Sequence, residues 1–170
     1  MNQIRIPQGM RDLISEECEK KEVLKDRIEK VFSSYGYRPL TTPAIEYLDT
    51  YANAYGDVKD EEMYKFFDQE GKTLTLRTDM TVPIARMCAS KFTNANPPFR
   101  FRYCSDVFKV RLTFAGQRSE VTDCGIELIG CDANSDLEVL AAALDTMQSF
   151  GTDDYVLEIG NSEFYRSACN

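Results

Sequence analysis

Leu76-Arg77-Thr78-Asp79-Met80-Thr81, then Phe99-Arg100-Phe101-Arg102-Tyr103 running on to Val107-Phe108-Lys109-Val110-Arg111, and finally Gly125-Ile126-Glu127-Leu128-Ile129-Gly130 are the pieces of sequence that decide the fold. Phe99, Phe101 and Tyr103 alternate with Arg100, Arg102 and Cys104. Downstream, Cys124, Ile126 and Leu128 sit among Asp123, Gly125 and Glu127. Successive strand residues point to opposite faces, so this alternation predicts two long strands over residues 99–110 and 120–130. Both carry charge where a packed sheet is expected. Buried charge is costly unless it is paired or holds a ligand, which makes this segment the place to look for a site.

Outward from there, residues 14–35 predict a helix. Leu24, Ile28, Val31, Phe32 and Tyr35 recur at helical spacing, and Gly36 stops the run. Residues 37–43 are extended, because Pro39 and Pro43 push their predecessors away from helical angles. Residues 44–48 continue as a short strand or turn. Phe66, Phe67, Leu74 and Leu76 flank the turn Asp68-Gln69-Glu70-Gly71, which predicts a hairpin. Residues 81–90 predict a helix with Pro83 near its start, and residues 94–98 a loop. The connection 112–118 is long for a hairpin, and such loops are often functional. Ser135-Asp136-Leu137-Glu138 is a capping box that opens a helix closed by Gly151. Residues 155–160 read as a strand, and Asn161 or Ser162 as the cap of a further helix. The order predicts an α+β fold, a mostly antiparallel sheet flanked by helices on one side, here as the N-terminal fragment of a longer protein.

The composition narrows the function classes. The chain has 170 residues, a net charge of −8, six cysteines and no histidine. That size suits one domain. An acidic domain lacks the bulk attraction that drives nonspecific nucleic-acid binding. Without histidine or a Cys-x-x-Cys pair, no zinc site and no other metal or cofactor is expected. The usual general base is missing as well. No apolar run is long enough to cross a bilayer, and Met1-Asn2-Gln3-Ile4-Arg5-Ile6-Pro7 lacks the core of a secretory signal. A cytoplasmic protein with free, mostly buried thiols is the expectation.

These pieces in this order resemble the catalytic fold of class II aminoacyl-tRNA synthetases, specifically the histidyl branch. Gly9-Met10-Arg11-Asp12, with Pro7, is similar to that branch's N-terminal Pro-x-Gly-x-x-Asp. Gly36-Tyr37-Arg38-Pro39 through Pro43-Ala44-Ile45-Glu46 is similar to its first motif, which builds a dimer interface. Residues 76–81 resemble the Leu-Arg-Pro-Glu-x-Thr element that holds the amino group of histidine. Residues 107–127 resemble the second motif, its loop and the strand that reaches the imidazole. The likeness covers nearly the whole chain, 1–170, as the N-terminal part of a histidyl-tRNA synthetase-like catalytic domain.

The departures fall in the nucleotide part. Lys109 stands where the synthetase arginine meets the ATP α-phosphate, and Arg111 where a glutamate meets the adenine region. Gly116-Gln117-Arg118-Ser119 replaces Gly-Arg-x-Arg, and Asp123 replaces a glutamine. Lysine cannot reproduce the two-pronged contact of arginine with phosphate, and arginine cannot accept a hydrogen bond from the adenine amino group. Leu76-Arg77-Thr78-Asp79-Met80-Thr81-Val82-Pro83 is closer to the Leu-Arg-x-Asp-x-Thr-Pro form of a paralogous family, the regulatory subunits of ATP phosphoribosyltransferase. That resemblance implies a noncatalytic subunit of histidine biosynthesis. It implies a homodimer within a hetero-oligomer with the short-form catalytic subunit, taking part in its activation and in feedback by L-histidine, with no tRNA. The alternatives are a working histidyl-tRNA synthetase and a dimerisation scaffold with no ligand.

On this reading the histidine-binding residues are Asp79, Thr81, Lys109, Arg111, Asp123 and Glu127, with none catalytic. Each has a plainer reading beside it. Asp79 either caps a helix or meets an ammonium group, and both can hold. Thr81 is a first-turn residue or a ligand partner. Glu127, flanked by Ile126 and Leu128, is either a solvated edge charge or a carboxylate facing an imidazole N–H. Asp123 and Glu127 share a strand face about 13 Å apart, too far for a carboxylate pair acting on one bond. Lys109 and Arg111 share a face and either hold an anion or pair with Asp123 or Glu120. Arg100 and Arg102 are the polar face of a half-buried strand rather than a base-stacking platform. Tyr47, Tyr51 and Tyr55, four apart, are helix packing or interface. Ordering of the loop 112–118 is the expected link from ligand to partner.

Overall fold

The computed structural model describes residues 5–56, 60–111, 116–132, 134–160 and 167. Helix α1 (Glu16–Ser34) opens with Glu16, Glu17 and Glu19, whose charges suit the positive end of the helix dipole. It closes where Gly36 takes φ 82°. There the Tyr37 N–H donates to the Phe32 carbonyl at 3.2 Å and the Gly36 N–H to that of Ser33 at 3.0 Å. This is the glycine-closed end that left-handed backbone permits. It turns the buried Tyr37 inward and delivers β1 (Arg38–Pro39) to the sheet.

Strands β2 (Ile45–Tyr47), β3 (Lys65–Phe67) and β4 (Thr73–Leu76) form a small antiparallel sheet in the order β2-β4-β3. Helix α2 (Leu48–Tyr55) follows β2, and a 3-10 turn at Asp60–Glu62 precedes β3. The hairpin is as the sequence predicts. Asp68 Oδ1 accepts from the N–H groups of Glu70 and Lys72 at 2.9 and 2.8 Å. Helix α3 (Thr81–Lys91) then leads to the long antiparallel pair β5 (Phe99–Phe108) and β6 (Glu120–Ile129), with β1 parallel to β5. Helix α4 (Ser135–Ser149) follows.

The register of β5 and β6 runs from Phe99 opposite Ile129 to Phe108 opposite Glu120. One face of the pair carries most of the aromatic residues of β5. Phe101, Tyr103, Val107 and Ile129 pack with Leu40 against Met80, Ile84, Met87 and Cys88. The other carries the arginine stripe and lies under α1 and α4. Arg102 meets Glu29 of α1 at 2.7 Å, Arg100 pairs with Glu138 of α4, and Tyr37 donates to Glu138 at 2.8 Å. Arg100 and Arg102 are thus the structural residues the alternation suggested. Helices cover both faces, however, rather than one side. The reason is that both stripes need a cover: the aromatic one an apolar helix, the charged one carboxylates.

Several local expectations change. The long strands end at Phe108 and Ile129, short of 110 and 130; past the end of β5 the Lys109 N–H still reaches the Ser119 carbonyl at 2.8 Å, and the Val110 N–H points the other way to the Glu62 carbonyl at 2.9 Å. The capping box does not form. The cap position is Asn134, the Ser135 hydroxyl donates to Asp132, and Glu138 is drawn to Arg100 and Tyr37. Residues 155–160 are not a strand; they have no ladder partner among the described residues, and Val156 and Ile159 are exposed. The thiols are not mostly buried and free: Cys104 and Cys124 face each other in the ladder and are joined as a disulfide, while Cys18 and Cys131 are exposed. Asn161, Ser162, Cys169 and residues 112–115 lie outside the described residues. No helix among the described residues is long and apolar enough to cross a membrane.

Candidate functional site

Between β4 and α3 the chain is fixed by a buried arginine. The Arg77 guanidinium donates to three backbone carbonyls: Asp106 and Thr42 at 2.8 Å and Pro43 at 3.3 Å. Its own backbone pairs with Ala44 and Phe108 at 2.9 Å each. Its charge therefore rests on peptide dipoles and ties the small sheet to β5. The next residue, Thr78, donates its N–H to the hydroxyl of the buried Tyr51 at 3.1 Å. This rigid approach sets the position of Asp79.

Asp79 uses both oxygens. Oδ1 accepts from the Val82 N–H at 2.9 Å, three residues on, which is a helix-capping bond. Oδ2 accepts from the Thr78 hydroxyl at 3.1 Å and the Tyr55 hydroxyl at 3.3 Å. Thr81, in the first turn of α3, donates its hydroxyl to Glu127 Oε1 at 2.7 Å. Glu127 lies opposite Phe101 on β6, on the face that packs toward α3. A polar bridge thus closes the edge of an apolar contact.

Tyr103 lies opposite Gly125, and its ring covers that residue. A Cβ at position 125 would stand 2.5 Å from the Tyr103 hydroxyl and 2.6 Å from Cζ. Only glycine lets the ring lie down there. Burial first, then the charges of Glu127, Asp123 and Asp79, push the Tyr103 phenol up to about 12. Tyr55 is raised by burial and by Asp79, and the Cys88 thiol by burial and Glu127. Asp79, Thr81, Asp123, Glu127, Tyr55 and Tyr103 therefore belong to one electrostatic neighbourhood.

Lys109 and Arg111 make no hydrogen bond or ion pair with it among the described residues. They lie past the end of β5, where the Lys109 N–H still donates to the Ser119 carbonyl at 2.8 Å. Arg111 borders a separate cleft of about 260 Å³ with Pro7, Gln8, Gly9, Tyr64 and Gln117. That cleft is built by the N-terminal segment. Gly9 takes φ 77°, accepts from the Ser119 N–H at 2.8 Å, and has no room for a Cβ, which would meet Ser119 Oγ at 2.3 Å. The sequence reading missed Tyr55, Tyr103 and Gly125. A tyrosine registered against a glycine was the available signal, but it needs the strand register to be seen.

No ion pair to Asp79, Asp123 or Glu127 forms among the described residues. Carboxylates, phenols and a hydroxyl arranged in this way suit an ammonium or imidazole N–H. They place no nucleophile–base pair of the usual kind, since the chain has no histidine.

Comparison with known proteins identifies the family. The protein-family model described as histidyl-tRNA synthetase matches residues 9–170. The chain belongs to the histidyl-tRNA synthetase family. Among its relatives, the ATP phosphoribosyltransferase regulatory subunit of Ruminiclostridium cellulolyticum is 38% identical over 96% of the chain, which spans 39% of that relative. A crystal structure described as an ATP phosphoribosyltransferase regulatory subunit/histidyl-tRNA synthetase from Bacillus halodurans C superposes with a TM-score of 0.77 at 34% identity, over 86% of this chain and 38% of that one. The histidine–tRNA ligase subunit of Alicyclobacillus acidocaldarius gives 0.78 at 28% identity, over 89% and 44%. The chain thus has the mixed α/β, class II histidyl-tRNA synthetase-like fold and spans about two fifths of the curated relatives it matches.

Proposed function

We propose that this chain is the N-terminal part of a noncatalytic regulatory subunit of ATP phosphoribosyltransferase that binds L-histidine and acts on a short-form catalytic subunit in the cytoplasm. The observation that carries the reading is the group of carboxylates beside Tyr103, set against the loss of the nucleotide-binding residues from the sequence. The acidic cluster of Asp79, Thr81, Asp123 and Glu127 stands assembled around Tyr103, while Lys109 and Arg111 lie beyond the strand end. An amino acid carries an ammonium group for such a cluster, and histidine adds an imidazole N–H. Lys109 and Arg111 in place of arginine and glutamate remove the phosphate fork and the adenine acceptor. The printed names of the relatives support the regulatory role. Feedback then requires that histidine bind two states of the complex unequally.

The test uses the full-length protein. It is expected to copurify with a short ATP phosphoribosyltransferase chain and to show no histidine-dependent ATP–pyrophosphate exchange. The second reading, a working histidyl-tRNA synthetase, is favoured by the likeness to the ligase subunit from Alicyclobacillus acidocaldarius and predicts brisk exchange. Exchange at a synthetase's pace overturns the regulatory reading.

A further inference from the structure

Cys104 and Cys124 are direct cross-strand partners in the β5–β6 ladder and are joined to each other. They lie on the face opposite the acidic cluster, and each is adjacent in sequence to a member of the neighbouring rung. Tyr103 precedes Cys104, and Gly125 follows Cys124. That rung is the one in which the tyrosine ring lies on the glycine. The cysteines border an open cleft of about 800 Å³ under α1, half-buried rather than sealed. Cations and carboxylates border that cleft in equal number, and Lys21 pairs with Asp106 at 3.5 Å. Solvent access is a condition under which thiols exchange with small disulfides.

We propose that Cys104 and Cys124 form a reversible redox site, a dithiol/disulfide couple that sets the rigidity of the Tyr103–Gly125 rung. The oxidant is a low-molecular-weight disulfide. One cysteine thiolate attacks it, forming a mixed disulfide and releasing one small thiolate. The second cysteine thiolate attacks the protein sulfur of that mixed disulfide and releases the other. Two protein thiols are oxidised to one disulfide, and the small disulfide is reduced to two thiols. The reverse exchange reopens the pair. In a reducing compartment such a pair is a switch rather than a permanent staple. Closed, it locks the two strands at the rung beside Tyr103; open, it leaves that rung to its hydrogen bonds. The site stands on the cysteines' register and their access to the cleft, and does not depend on which ligand the acidic cluster takes.

The experiment equilibrates the full-length protein in mixtures of oxidised and reduced glutathione, then reads thiol titre, peptide mapping and amide hydrogen exchange. Oxidation is expected to remove two titratable thiols, to yield a peptide pair linked through Cys104 and Cys124, and to slow exchange in residues 99–108 and 120–129. A variant carrying C18S, C88S, C131S and C169S keeps all three effects, and adding dithiothreitol reverses them. Absence of the linked peptides at every glutathione ratio overturns the proposal. A linkage that leaves strand exchange unchanged, or that resists reduction by dithiothreitol, also overturns it.

Discussion

The Thr81 hydroxyl donates to Glu127 Oε1 at 2.7 Å, joining the first turn of α3 to the middle of β6. The bond spans two elements 46 residues apart in sequence. It fixes the carboxylate whose remaining oxygen has no hydrogen bond among the described residues. Thr81→Val removes the donor while keeping the shape. Loss of one such bond costs about 1 kcal/mol of stability. Urea unfolding of the full-length protein is expected to show a lower midpoint at unchanged slope, together with weaker histidine binding. Unaltered binding would place Glu127 outside the ligand's reach.

Arg77 supports the site from behind. Replacing it with methionine leaves the Thr42, Pro43 and Asp106 carbonyls without their donor. Groups stranded in this way cost about 3 kcal/mol together. Arg77→Met is therefore expected to destabilise strongly in a denaturant titration, whereas Lys20→Ala, in an exposed ion pair of α1, is expected to be nearly neutral. Similar losses for the two would remove Arg77 from its structural role.

Gly125 and Tyr103 are coupled by contact. Gly125→Ala puts a methyl group 2.5 Å from the Tyr103 hydroxyl, so the ring must lift from the strand. Overpacking of this kind costs about 2 kcal/mol. Tyr103→Ala empties the space, and the double variant is expected to be less destabilised than the sum of the singles. A strictly additive double-mutant cycle by thermal unfolding contradicts the contact.

The tyrosines also give a pH signature. Tyr103 titrates at about 12 in the fold against 10.0 for a free phenol. The folded state thus favours the neutral form. Its contribution is fully present below pH 10.0 and is lost as pH rises through about 12. Tyr103→Phe is expected to flatten part of the alkaline limb of stability, measured by unfolding across that range, while Tyr37 and Tyr51, also raised, keep the rest. The acid side has the opposite sign. Arg100 holds the Glu138 carboxyl below its ordinary value of 4.5, so that contribution is present above 4.5 and fades below it. An alkaline limb identical in Tyr103→Phe contradicts the placement of the phenol.

The long strands, the hairpin and three helices were legible because each has a local pattern: alternation, helical spacing, a turn cluster or a stopping glycine. The junction that carries Asp79 and Thr81 was legible as well, since it is marked by a strand followed by Pro83. What failed depended on partners far off in sequence. Ser135-Asp136-Leu137-Glu138 has every feature of a capping box, yet Arg100 and Tyr37 claim the glutamate. Residues 155–160 alternate well but find no neighbour to pair with among the described residues. Tyr103 reads as one apolar strand position among several until the register sets it on Gly125. Lys109 and Arg111 continue the alternation in sequence, but β5 ends at Phe108.

The central claim is that an acidic cradle for histidine persists where the grip on ATP is gone. Isothermal calorimetry of L-histidine on the full-length protein mixed with a short ATP phosphoribosyltransferase chain tests it most directly, beside the Glu127→Gln variant. The expected result is saturable binding at millimolar or lower concentration, weakened in the variant. No binding by the intact complex, or equal binding by both proteins, contradicts it.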